Sequence, residues 1–337
     1  MTTKIRLTAD TYTVGLIYVK PLEMHAIYVM LNEQREPIPM RVEDDNEYTL
    51  GKIGNHNVAI AGPPRGSQGK VAIENVVSRI RLAFKNIRVG LLVGIRGGAP
   101  HFLEHDVRLG DVVVGAPEVG LTVVQYDLGK QLPDGIKVTR LVNKPPELLL
   151  KVVDKVNDRY QRTSERTDDF FVHLKRFAEF PRMRGYYKRP SIPGRLFRSE
   201  YDHPNGTFCS THDHCHEVKR PDRDSPHEAR IHYSTILSGD LVMKSGLRRD
   251  QISAMHHNAL CFEMEAAGLM DAFPCVVVRG ICDCSDSHKS KGWREYTAAV
   301  AAAYAREILL TRAERVFHEL KYPEIGKLVT SRTRRPS

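Results

Sequence analysis

The chain has no run approaching the roughly 18 consecutive apolar residues that cross a bilayer, although hydrophobic residues make up 41% of its 337 positions. A membrane-spanning role is therefore not expected. The first residues, Met1-Thr2-Thr3-Lys4-Ile5-Arg6, lack the apolar core of a secretion signal. Cysteine is sparse: Cys209, Cys215, Cys261, Cys275, Cys282 and Cys284 are all there are. Four lie in or beside apolar runs and two in a polar stretch, which is not a disulfide framework. A reducing, cytoplasmic setting is expected. There is no internal repeat. Acids are outnumbered, 41 Asp and Glu against 50 Lys and Arg, for a net charge of +9. Such a surplus suits nucleic acid, anionic lipid or a phosphorylated small molecule, and equally a merely solvated basic surface.

What is present is a strand–helix alternation. Residues 12–19 read as a buried strand and 22–31 as the helix after it. Residues 48–53 and 57–61 read as a hairpin across Gly54-Asn55-His56. A helix is predicted over 71–82, a buried strand over 89–93 ending in Gly94-Ile95-Arg96-Gly97-Gly98, a strand over 110–114 and a helix over 145–156. The pattern resumes with strands over 231–237 and 275–281 and helices over 264–270 and 296–316. This predicts an α/β domain with a parallel or mixed sheet. Between 160 and 230 apolar periodicity fades and prolines, histidines and charges multiply, which reads as an insertion within one domain spanning 1–337. A basic tail occupies 325–337. In the insertion Lys175, Arg176, Arg182, Arg184, Lys188, Arg189, Arg195 and Arg198 interleave with Phe177, Phe180, Tyr186, Tyr187 and Phe197. Basic and aromatic residues so mixed can bind single strands, so a nucleic-acid-binding module is the non-enzyme alternative.

Three acids stand beside strand ends or glycine-rich turns: Glu23, Glu265 and Asp283. Ligands of open α/β sheets bind beyond the carboxyl ends of strands. Carboxylates there can act as general base and general acid if their surroundings drive their pKa values apart. A nucleic-acid-binding module would not need three acids in separate turns, which ranks it below an enzyme. Arg65-Gly66-Ser67-Gln68-Gly69-Lys70 is not a P-loop, because Pro64 stands where glycine is required and Val71 replaces the magnesium-binding Ser or Thr. His203, Cys209 and Cys215 are the ligands to expect if a structural metal clip forms in the insertion. Their Cys-x5-Cys spacing matches no standard zinc knuckle, so no metal is expected.

Together these segments resemble the nucleoside phosphorylase and nucleosidase superfamily. The motifs are GIRGGAP at 94–100, RLGDVVV at 108–114, Ser238-Gly239-Asp240, FEMEAAGLM at 262–270 and VVRGICDCSD at 277–286. The likeness covers 12–130 and 231–312, and the wording of the motifs is similar to that of the fungal branch, whose members often occur as effector domains in immune-type proteins. It implies a three-layer α/β/α nucleoside phosphorylase-like fold with a mixed central sheet and a long insertion. It implies that Glu265 accepts hydrogen bonds from the ribose 2′- and 3′-hydroxyls, that Met264 packs on the sugar, and that Asp283 assists departure of the purine at N7. Glu23 matches the water-activating glutamate of methylthioadenosine/adenosylhomocysteine nucleosidases, which phosphorylases generally lack, so hydrolysis is favoured. The sequence departs from those nucleosidases at Arg96, where an alanine is usual, at Val242, where an aromatic stacks on the base, and at Cys282, where serine is common. Phe262, Cys282 and Val242 are the base-pocket candidates. An arginine at 96 suits a phosphate better than an alkylthio group. With the basic insertion it favours an adenine nucleotide as substrate. ATP leads, giving adenine and ribose 5′-triphosphate. Lys20, Arg96, Lys289, Arg220 and Arg223 are the phosphate-binding candidates. The alternatives are a nucleosidase for adenosine or methylthioadenosine, and a purine nucleoside phosphorylase. The resemblance implies no organic cofactor and suggests a homo-oligomer.

Overall fold

The computed structural model describes residues 5–101, 105–133, 135–139, 141–162, 172–203, 214–223, 229–289 and 291–311. Its centre is an 11-stranded mixed sheet with helices on both faces, a three-layer α/β/α arrangement. The strands are β1 (Val14–Ile17), β2 (Glu33–Gln34), β3 (Thr49–Ile53), β4 (His56–Ala61), β5 (Val89–Gly98), β6 (Val112–Val114) and β7 (Val123–Gln125). After a separate hairpin of β8 (Gly129–Leu132) and β9 (Gly135–Val138) come β10 (Ile231–Tyr233), β11 (Ile236–Ser238), β12 (Cys261–Glu263) and β13 (Val276–Asp283). Their main order is β10-β6-β13-β5-β1-β4-β3-β2, and β12 carries β11 and β7 off this path.

The middle of the sheet explains its own sequence. β5 lies parallel to β1 on one edge and to β13 on the other. All ten of its residues are buried, which is why it reads as a continuous apolar run rather than an alternation. It extends beyond the predicted 89–93 into the glycine-rich turn, because Gly94 to Gly97 keep pairing with β13 while Gly97 and Gly98 also meet β12. The hairpin expected across residues 54–56 forms, with β3 antiparallel to β4.

The helices are α1 (Pro21–Val29), α2 (Lys70–Ala83), α3 (Glu147–Arg162), α4 (Arg184–Tyr187), α5 (Gly246–Met255), α6 (Ala266–Leu269) and α7 (Arg294–Leu310). In α2 the buried residues Ile73, Val76, Val77 and Ile80 recur every three or four positions, forming one apolar stripe. The helix predicted over 264–270 starts at Ala266 because the residues before it belong to β12 and its exit. α7 differs from both: every residue from Tyr296 to Leu309 is buried. One side of it packs on β5, β13 and α1, and the other is covered by α3, α4 and the turn His173–Glu179.

That cover changes the reading of the basic, aromatic stretch. Phe177 and Tyr186 are buried and stack on each other, centroids 5.5 Å apart and planes 5° apart, and Phe197 is buried as well. These three rings fill the interior, whereas Tyr187 of the same stretch is exposed. Arg176 donates to the carbonyls of Val29 and Leu31.

Arg220 and Arg223, expected among the phosphate ligands, are committed elsewhere. Arg223 donates to both carboxylate oxygens of Asp111, at 2.8 and 2.7 Å. Arg220 reaches Asp106 at 3.3 Å and the Gly194 carbonyl at 2.6 Å. Asp111 also accepts from His232 and from the Arg108 and Arg230 backbone N–H groups. Burial alone would raise its carboxyl, but the hydrogen bonds from Arg223 and His232 outweigh that and hold it at about 2. The two arginines pin the 214–223 segment to the sheet rather than facing a ligand.

Candidate active site

Glu23 is placed by the exit from β1. Pro21 opens α1 in the position where its missing N–H is harmless. Glu23, one turn in, folds back so that Oε2 accepts the N–H groups of Val19 and Lys20, each at 2.8 Å. Its Oε1 accepts the Ile95 N–H at 2.9 Å, joining the ends of β1 and β5. The approach demands glycine at 94, where a Cβ would sit 2.5 Å from Glu23 Oε1.

Glu265 precedes α6. Arg96 donates to its Oε2 from Nε at 3.1 Å and from Nη2, and Gly69 donates its N–H to Oε1 at 3.4 Å. Arg279 Nη2 lies 3.6 Å from Oε2 and pairs with Glu263 at 2.7 Å. Burial would raise the Glu265 carboxyl, but the Arg96 and Arg279 guanidiniums overcome it and hold the group well below the usual carboxylate range. Arg96 closes the link by reaching Glu23 Oε1 at 3.4 Å.

Asp283 ends β13. Its Oδ1 accepts the Ser285 N–H at 3.0 Å and Lys289 Nζ at 3.1 Å, and the Cys282 thiol lies 3.6 Å from Oδ2. Burial, reinforced by Asp283, pushes that thiol up, so it stays protonated. Ser285 sits in the left-handed region, φ +52°, a cost of about 1–3 kcal/mol tolerated where surroundings fix the turn.

Asp283 lines a cleft of about 540 Å³, together with Lys20, Arg96, Phe262, Met264, Cys282, Val242 and Lys289. Glu23 and Glu265 sit one side chain behind its wall, both held by the Arg96 guanidinium. The sequence reading missed Gln68, Lys244, Lys291 and Arg294, which also line it. The available signal was basic residues a few positions from the Ser238-Gly239-Asp240 and Asp283 motifs. Six cations (Lys20, Arg96, Lys244, Lys289, Lys291 and Arg294) therefore face the cleft against the carboxylates of Glu263 and Asp283. Burial, with Arg96 beside it, lowers the Lys20 pKa. His203 lines the cleft, Cys215 is exposed, and Cys209 lies outside the described residues. Among the described residues no group of His, Cys, Asp and Glu has the arrangement of a metal site.

The architecture matches solved structures along nearly their whole length. A 5′-methylthioadenosine/S-adenosylhomocysteine nucleosidase from Neisseria meningitidis superposes with a TM-score of 0.56 at 15% identity, covering 88% of this chain and 98% of that one. The fold is that of the nucleosidases. Futalosine hydrolase of Helicobacter pylori matches similarly, with a TM-score of 0.54, 17% identity and coverage of 89% and 97%. No family model matches the sequence. Over 305 residues, 90% of its length, the chain is 38% identical to a nucleotide-binding leucine-rich repeat (NLR)-like protein of Hyaloscypha variabilis. Over 81 residues it is 32% identical to the ATP nucleosidase Cap17 of Escherichia coli. The matched parts span 30% of the Hyaloscypha protein and 16% of Cap17. Among the described residues no helix is long and apolar enough to cross a membrane.

Proposed function

We propose that the chain is an N-glycosidase that hydrolyses adenine-containing nucleosides or nucleotides. One observation carries the reading: the carboxylates of Glu23 and Glu265 share one guanidinium at the wall of the cleft that Asp283 lines. In the proposed reaction Asp283 assists departure of the base by passing a proton, or a hydrogen bond, to purine N7 as the bond from C1′ to N9 breaks. The electron pair of that bond leaves with adenine, and positive charge develops on the ribose. Glu265 accepts hydrogen bonds from the 2′- and 3′-hydroxyls and Met264 packs on the sugar. Glu23 takes a proton from the water that attacks C1′. No cofactor is required by this chemistry.

The solved relatives support an uncharged adenine nucleoside such as methylthioadenosine better than they support ATP, since the Neisseria protein is named for methylthioadenosine and adenosylhomocysteine. ATP is favoured instead by the six cleft cations and by the local likeness to an ATP nucleosidase. A polyphosphate would offset the cationic excess that an alkylthio group would leave unbalanced. The match to part of an NLR-like protein supports an effector role within a larger receptor-type molecule, and a homo-oligomer suits the fold.

The test is incubation with ATP, AMP, adenosine and methylthioadenosine, with and without inorganic phosphate, measuring free adenine by chromatography. Adenine release without phosphate is expected, and Glu23→Ala should abolish it. Release only when phosphate is supplied would make the protein a phosphorylase.

A further inference from the structure

Arg96 occupies the acceptor positions that the proposed reaction needs. A carboxylate offers about four lone-pair sites. At Glu265, Oε2 receives Arg96 Nε and Nη2 and the Met264 N–H, and Oε1 receives the Gly69 N–H. At Glu23, Oε2 is taken by two backbone N–H groups, while Oε1 is shared by the Ile95 N–H and Arg96 Nη1. With Arg96 in place Glu265 keeps one acceptor site, on Oε1 beside the long Gly69 bond, too few for both hydroxyls of a sugar diol, and Glu23 keeps none for a water. Yet Arg96 itself lines that cleft, beside Lys20 and close to the other cations.

We propose that Arg96 is a latch closed on Glu265 and Glu23 in the empty site and released by the phosphate of an entering nucleotide, so that phosphate recognition and the freeing of both carboxylates are one event. This rests on the nucleoside-cleaving reading above and deepens it into a choice of substrate. The guanidinium fork matches a phosphate as well as a carboxylate, so a polyphosphate can replace what Arg96 gives up. An uncharged nucleoside cannot, and must break a buried ion pair without compensation. Glu265 is not stranded by the exchange, because Arg279 remains 3.6 Å from it. Moving Arg96 also takes a like charge away from Lys20, which then holds its proton better against the incoming anion.

The test is linkage between two probes, inorganic triphosphate and 9-deazaadenosine, whose C-glycosidic bond is not hydrolysed. In calorimetry on the unmodified chain, saturating triphosphate should tighten 9-deazaadenosine at least fivefold, and 9-deazaadenosine should tighten triphosphate by the same factor. Arg96→Met should tighten 9-deazaadenosine alone about tenfold, weaken triphosphate, and abolish the coupling. Arg96→Lys should keep triphosphate binding and lose part of the latch. Absent or negative coupling in the unmodified chain overturns the latch, as does an Arg96→Met variant that weakens both ligands equally. The unmodified chain decides the matter even if Arg96→Met does not fold. Coupling without any adenine release would overturn the enzymatic reading and leave the latch standing. Adenine release without coupling would do the reverse.

Discussion

Replacing Glu265 by Gln isolates the recognition of the sugar. Hydrogen bonds to an ionised group contribute about 1.5–3 kcal/mol each, so losing one from the transition state lowers kcat/KM about 10- to 150-fold. With the substrate that releases adenine fastest, the unmodified chain should prefer the ribose over the 2′-deoxyribose form by that factor. Glu265→Gln keeps the shape and removes the charge, and should bring the preference to within about threefold of unity. The structure limits the damage to folding: Arg279 keeps Glu263 at 2.7 Å and Arg96 keeps Glu23 at 3.4 Å. A thermal melt run beside the kinetics separates lost stability from lost recognition. The assay is steady-state adenine release from the two sugars by both proteins, read as a double-mutant cycle. If Glu265→Gln discriminates as strongly as the unmodified chain, Glu265 does not read the sugar and the site has been assigned wrongly.

Asp283→Asn should lower kcat by about 10²–10⁴-fold with a smaller change in KM, because proton transfer acts in the transition state; a change confined to KM would refute the acid role. Gly97→Ala would place a Cβ 2.2 Å from Ser285 Oγ and 2.6 Å from Asp283 Oδ1, so adenine release should fall at least tenfold while circular dichroism stays native. Asp111→Asn leaves the buried Arg223 without its anion and should destabilise the chain by about 3–5 kcal/mol, read as a lower Tm and faster proteolysis within 214–223. The same carboxyl predicts an acid limb. Its pKa falls from the ordinary 3.8 to about 2 on folding, so its contribution is complete above pH 4 and is lost as the pH drops from about 4 toward 2. That contribution is roughly 2 kcal/mol, and Asp111→Asn should flatten the stability profile across this window.

Strand ends were legible because apolar runs bounded by glycine or proline leave little choice of element. β1 and β5 could be read this way, and with them the neighbourhoods of Glu23 and Arg96. The role suggested for Arg96 was half visible. Its charge could be read against a phosphate, but not its capture by Glu265, a residue 169 positions away. Arg220 and Arg223 could not be told from ligand-binding cations, since Asp106 and Asp111 lie more than a hundred positions earlier and only the folded sheet brings them close. The cations at 244, 291 and 294 were missed for a related reason. Each stands in a loop or at a helix start with no periodic pattern, and their convergence is a property of the sheet's topology. The burial of Phe177 and Tyr186 could not be read from the basic stretch, because composition does not reveal which face of a short turn is covered.

The helix with no wet side has a consequence for anyone shortening this chain. From Tyr296 to Leu309 it is sheltered all round, and its outer shelter comes from 173–187 and α3 rather than from the sheet. Deleting that covering would turn an alanine-rich rod into an oily exterior, and would strip Glu307 of His173 and Arg159 at one stroke. A truncated version cut down toward the sheet and its nearest helices should therefore come out of the cell as aggregate. The stretch that looks most dispensable on paper works as the bark around this protein's heartwood.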